Sequence, residues 1–136
     1  PRRKLVSKVV LDSSAFLAMA NREPGEDRVK PVTRQAFLSA VNLSEILQKL
    51  VAKGVPLGKA QDYVLEFIGP IIPFDPVHAA LAAEMAAPTR QFGLSFADRA
   101  CLALGRSLDA LVLTADQKWL KLDLGVQVEL IRGLPS

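Results

Sequence analysis

Two kinds of apolar run alternate along this chain. Short unbroken runs, "VVL" within "KLVSKVVL" and "ALVL" within "ALVLTAD", suit strands buried on both faces. They predict strands over 5–11 and 110–116, with shorter ones over 36–41 and 126–131. "PIIPF" (70–74) reads as an edge strand, because Pro73 has no N–H to give a ladder. Longer segments carry apolar residues at helical spacing. "NLSEILQKLVAKG" sets Leu43, Ile46, Leu47, Leu50 and Val51 on one stripe and stops at Gly54. "PLGKAQDYVLEFIG" (56–69) repeats the pattern, so the two helices pack as a hairpin about "GVP". Further helices are expected over 13–20, along "PVHAALAAEMAA" with Pro88 disturbing its end, and over 95–108, with one or two turns in "QKWLKL". The polar segment 21–34, with two prolines and a glycine, reads as a loop around at most a short helix.

Strands alternating with helices imply an α/β fold, a central, mostly parallel sheet flanked by helices in three layers. The 136 residues, half of them hydrophobic and 23% charged, suit a single globular domain over 1–136. No apolar run reaches the roughly 18 residues that cross a bilayer, and the basic start is followed by too short a run for a signal peptide. The expectation is a soluble cytoplasmic protein with no membrane association.

Counting removes several chemistries. One cysteine and one histidine cannot form an internal disulfide or a structural zinc site. Cys101, inside "ADRACLALG", reads as a small buried thiol, and His78 as a solvated helix residue. Neither Gly-rich phosphate-binding loop is present, so nucleotide binding by those devices is unsupported.

Four acids remain. Asp12 and Asp116 each directly follow a buried strand, so they share the rim where open parallel sheets bind ligands. Asp98 opens the helix leading into the second of those strands. Glu45 follows the short second strand and turns away from its helix's apolar stripe. Each acid also has a local explanation. Asp12 can cap the helix at 13, Asp98 can complete a capping box with Ser95, Asp116 can cap "QKWLKL", and Glu45 can pair with Lys49. If they meet instead, two carboxylates ~6 Å apart repel by roughly 3 kcal/mol at an effective dielectric near 20. A group of them must take up protons or a cation. An all-oxygen donor set suits Mg²⁺ or Mn²⁺, whose chemistry is phosphodiester hydrolysis without a protein nucleophile.

The segments "VVLDSSAFLAMANREPG", "FLSAVNLSEILQKL", "GLSFADRACLALG" and "LVLTAD" resemble, in order and spacing, the motifs of PIN-domain ribonucleases, most of all VapC-type toxins of toxin–antitoxin pairs. The likeness runs from about Leu5 to Ile131. It implies metal-binding, catalytic roles for Asp12, Glu45, Asp98 and Asp116, with Ser14 and Thr114 as supporting hydroxyls. It implies a Mg²⁺- or Mn²⁺-dependent endoribonuclease acting on structured RNA such as tRNA or rRNA. A homodimer and an antitoxin that inserts a segment into the active-site groove follow from it too. "DSS" stands where "DTS" is usual, and the segment before "SAVN" is short and holds Pro31, so the usual helix there is reduced or distorted.

With the four acids neutralised, the 17 Lys and Arg outnumber the remaining acids and favour an anionic partner. Arg99 is the foremost candidate for RNA phosphate contacts, with Arg22 and Lys118 behind it. Trp119 is expected to pack "QKWLKL" against the core. Two other readings compete: a non-catalytic PIN-like protein-interaction module, and a phosphoacceptor receiver domain. The receiver lacks its expected adjacent early acids and late lysine.

Overall fold

A computed structural model describes residues 8–133. Five short strands carry the architecture: β1 (Val9–Leu11), β2 (Leu38–Ser39), β3 (Ile71–Ile72), β4 (Leu111–Thr114) and β5 (Gln127–Leu130). β1, β4 and β5 form one parallel sheet in that order, with Leu11 opposite Leu113 and Thr114 opposite Leu130. β2 and β3 pair in parallel beside it. One bridge joins the two sheets at β1, where the Phe37 N–H donates to the Val9 carbonyl (2.8 Å) and the Leu11 N–H to the Phe37 carbonyl (3.1 Å).

The strands read as unbroken apolar runs because both faces are covered. Successive side chains point to opposite sides. Leu11 and Leu113 enter one core with Phe16, Ile46 and Val64, while Val10 and Val112 enter another with Met85, Leu102 and Trp119. Helices α1 (Ser13–Ala20), α2 (Glu26–Val29), α3 (Ala40–Ala52) and α4 (Leu57–Phe67) follow the first strands; α5 (Pro76–Glu84), α6 (Ala86–Thr89) and α7 (Phe96–Leu108) precede β4. This is the expected three-layer α/β arrangement. α7 lies so close to the sheet that a Cβ on Gly105 would run into the Val112 side chain. Among the described residues no helix is long and apolar enough to cross a membrane.

Several boundaries differ from the sequence reading, each for a local reason. The strand expected over 5–11 spans Val9–Leu11 within the described residues; 5–7 lie outside them. The strand expected over 36–41 stops at Ser39, because the Ser39 hydroxyl accepts from the Val41 N–H (3.2 Å) and starts α3 at once. The loop over 21–34 holds the four-residue α2 and a 3₁₀ turn at Thr33–Gln35, on either side of Pro31. "QKWLK" is a 3₁₀ turn with Trp119 buried, as expected. Val51 falls off the buried stripe of α3 and is exposed. His78 corrects its reading as solvated. It is buried between Phe74 and α7, with Nε2 3.2 Å from the Ser107 hydroxyl, because it shares with Ala82, one turn on, the buried face of α5.

Candidate functional site

The chain crosses from β1 into α1 at Asp12. Its extended backbone caps α1, and its carboxylate accepts from the Ala15 N–H at 2.8 Å. That is the local explanation, and it holds. The same carboxylate also has partners a cap does not need. The Thr114 hydroxyl, from the end of β4, donates to Oδ2 at 2.6 Å. The Ser14 hydroxyl lies 2.7 and 2.9 Å from the two oxygens and accepts from the Ala115 N–H at 2.9 Å. Parallel pairing of β1 with β4 makes this possible, since it brings residues 102 positions apart to one rim. Asp12 is only 4% exposed, and burial is the chief force pushing its pKa up to about 6; hydrogen bonds from Thr114, Ala15 and Ser14 oppose it, and the Asp98 charge adds to it.

The other acids surround this one at different removes. Glu45, half-buried on α3, accepts from the hydroxyl of buried Ser13, the residue after Asp12. Asp98 completes the expected capping box: its Oδ2 accepts from the Ser95 N–H (2.9 Å) and its N–H donates to the Ser95 hydroxyl (3.1 Å). Asp116 joins through its backbone, donating its N–H to the Thr114 hydroxyl at 3.0 Å. Its carboxylate caps the following turn, accepting from the Lys118 N–H at 3.0 Å with Lys118 Nζ 3.9 Å away. Near the centre, the buried Cys101 thiol donates to the Leu11 carbonyl at 3.8 Å. Burial raises its pKa well above the usual value, and the charges of Asp12, Asp98 and Glu45 raise it further.

The donor chemistry of this region fits a hard divalent cation. Among the described residues, no Lys or Arg forms an ion pair with Asp12, Glu45 or Asp98. Asn42, one turn before Glu45 on α3, is buried; its Nδ2 donates to the Ala97 carbonyl at 3.0 Å, while its Oδ1 has no donor among the described residues. That orphaned acceptor sits beside the helix start that carries Asp98. A hydrated cation supplies both missing partners, positive charge and donor hydrogens. The side chains are nevertheless turned onto protein partners. Among the described residues, no three Asp, Glu, His or Cys side chains stand close enough to enclose an ion. Glu45 would have to exchange Ser13 for it.

The three basic candidates separate. Lys118 stays beside Asp116. Arg99 is turned towards α5, donating to the Ala82 carbonyl at 2.9 Å, with its guanidinium 5.7 Å from the Phe96 ring centre. Arg22 lines a different cavity, of about 520 Å³, with Arg34 and Tyr63. Ser13 and Asn42 escaped sequence reasoning. The signal was present for Asn42, a polar residue three positions before Glu45 on the same helical face.

The PIN domain family model matches residues 9–124. No curated protein matches the sequence significantly. Among solved structures, the fold is similar to DNA-bound VapBC from Salmonella typhimurium (TM-score 0.71, 17% identity, covering 93% of this chain and 99% of that one). It is similar to a toxin–antitoxin complex from Klebsiella pneumoniae (0.71, 12%, covering 94% and 100%). It also resembles Mycobacterium tuberculosis VapC20, a toxin described as cleaving the sarcin–ricin loop (0.69, 17%, covering 81% and 91%).

Proposed function

The chain belongs to the PIN-domain family, and from that premise we propose that it is a divalent-metal-dependent endoribonuclease, the toxin of a toxin–antitoxin pair. One observation carries the reading: the buried Asp12 carboxylate at the carboxyl end of β1 is met by two hydroxyls and an N–H, Glu45 sits on the hydroxyl of the adjacent Ser13, and among the described residues no Lys or Arg is ion-paired to Asp12, Glu45 or Asp98. Bound Mg²⁺ or Mn²⁺ supplies Lewis-acid polarisation of a phosphoryl oxygen and a lowered pKa for water. Asp12, Glu45, Asp98 and Asp116 are the residues that would hold it. Ser14 and Thr114 fix the Asp12 carboxylate in one orientation, limiting the rearrangement needed on binding. Asn42 ties α3 to the start of α7 and so sets the distance between Glu45 and Asp98.

RNA as the substrate rests on the motif resemblance and on the tuberculosis relative, from which we carry over only the class, structured RNA. An antitoxin partner rests on the complexes among the similar structures. A homodimer is supported by exposed Val51 and Leu57, which with Leu43 and Leu47 line an apolar cavity on α3 and α4. We place the protein in the cytoplasm with its RNA.

The test is RNA cleavage with millimolar Mn²⁺ by the wild type and by Asp12→Asn and Asp98→Asn, each checked for folding by circular dichroism. Loss in both variants supports the assignment; full cleavage by both, with purity shown by mass spectrometry, removes it. A second reading, a non-catalytic interaction module, is favoured by the protein partners each acid already has. That module would bind no Mn²⁺ at millimolar concentration in calorimetry.

A further inference from the structure

A cleft of about 660 Å³ opens against the acid site on the side of Asp116. Ser14 and Asp116 form its inner wall, Pro24 and Leu130 give apolar surface, and Gln117 and Arg132 supply donors. Its size lies in the range of small-ligand clefts, ~300–1,000 Å³. Arg132 lies two residues past the end of β5, as Asp116 lies two past the end of β4, so it stands at the same carboxyl rim as Asp12 and Asp116. Its guanidinium is held loosely, 3.5 Å from Glu23 Oε1 and 3.3 Å from the Pro24 carbonyl, in an ion pair about one-third exposed at the arginine. Such a pair exchanges readily for a better anion.

Resting on the nuclease reading, we propose that this cleft is the subsite for the nucleotide adjoining the scissile phosphate, with Arg132 as its phosphate-binding cation and Gln117 as a donor to the base or sugar. A protein cation there favours RNA binding, most of all when the acids hold no metal. A phosphodiester approaching an acidic site is repelled unless a positive group receives the neighbouring phosphate. Arg99 is committed to the Ala82 carbonyl and Arg22 lines another cavity, while Lys118 attends Asp116. Arg132 lines the cleft itself, and its planar fork suits a phosphate better than an ammonium does. Glu23 is then a competitor that holds the guanidinium until RNA replaces it.

Binding is measured without cleavage, by fluorescence anisotropy of a labelled hexaribonucleotide in EDTA, over a salt series. Arg132→Ala should weaken binding threefold or more and reduce the salt slope by roughly 0.7, one phosphate contact on a single strand. Arg132→Lys should keep the slope. Lys53→Ala, on the exposed end of α3, should change neither. Glu23→Gln should tighten binding, since it removes the competing charge. A loss below threefold for Arg132→Ala, or weaker binding by Glu23→Gln, overturns the subsite and leaves Arg132 a tether for the Pro24 loop. Cleavage with Mn²⁺ is scored separately. A wild type that cuts nothing while Arg132 still governs binding sinks the nuclease, and with it the scissile phosphate, but keeps the cleft as a phosphate-binding nucleotide site. Cleavage that proceeds with unchanged KM and affinity in Arg132→Ala does the reverse.

Discussion

Asp12 and Glu129 are both carboxylates on or beside the strands of one sheet, and the fold treats them in opposite ways. Glu129, on β5, meets Arg28 of α2 in a forked contact of 2.5 and 3.1 Å, and its pKa is lowered chiefly by that hydrogen bond. Asp12 is buried, is approached among the described residues only by hydroxyls and an N–H, and has its pKa raised to about 6. A carboxylate that serves only to join two elements is given a protein cation and left at the surface. One that is buried without such a cation keeps its negative charge available for something from outside. That contrast is the physical core of the assignment.

The strongest way to break the contrast is to neutralise each carboxylate and read cleavage. Asp12→Asn should lower kcat on RNA by ~10³-fold or more, as removal of a group essential to transition-state charge does. Glu129→Gln should leave kcat within about twofold. Equal effects would erase the distinction.

Stability against pH comes next. The folded chain holds Asp12's proton up to about pH 6, whereas the unfolded chain releases it near 3.8. Asp12's contribution to stability is therefore greatest below 3.8 and declines as pH rises through 6, by about 3 kcal/mol in all. Thermal denaturation should show Asp12→Asn level with wild type at pH 4 and more stable at pH 8. Millimolar Mn²⁺ should restore much of the deficit in wild type alone. A constant difference across pH would show that Asp12 is not charged at a cost. Glu129 runs the other way: its lowered pKa contributes above 4.5 and is lost as the pH falls.

A smaller effect is expected at Thr114. Thr114→Val removes the hydroxyl that donates to Asp12 and should cost about 1–2 kcal/mol by chemical denaturation, with a further rise in the Asp12 pKa seen by NMR titration. The smallest belongs to the surface pair. Arg28→Ala should cost under about 1 kcal/mol and less still at 1 M salt, because both partners are more than one-third exposed.

Much of this was legible in the residues. "VVL" followed by Asp12, "LVLTA" followed by Asp116, and Ser95 three positions before Asp98 predicted strands, rim acids and a capping box that the structure contains. Those signals are local. What stayed hidden depends on contacts across the chain. The Ser13–Glu45 hydrogen bond spans 32 positions, and nothing in "DSS" distinguishes a helix start from a partner for a distant glutamate. Arg99 stands next to Asp98 in sequence, yet helical geometry sends it towards Ala82. Arg132 follows a strand with only one fully apolar-patterned face and drew no notice, although the rim argument that found Asp12 and Asp116 applies to it equally. His78 looked solvated because the apolar ring of Phe74 and the Ser107 hydroxyl that receive it come from before α5 and from α7.

The central claim is most directly tested by anomalous diffraction from crystals soaked in millimolar Mn²⁺. A peak bonded to oxygens of Asp12 and Asp98 is expected, with Glu45 swung from Ser13 towards it. A map without a peak there, with Glu45 still on Ser13 and Asp98 still on Ser95, would contradict it.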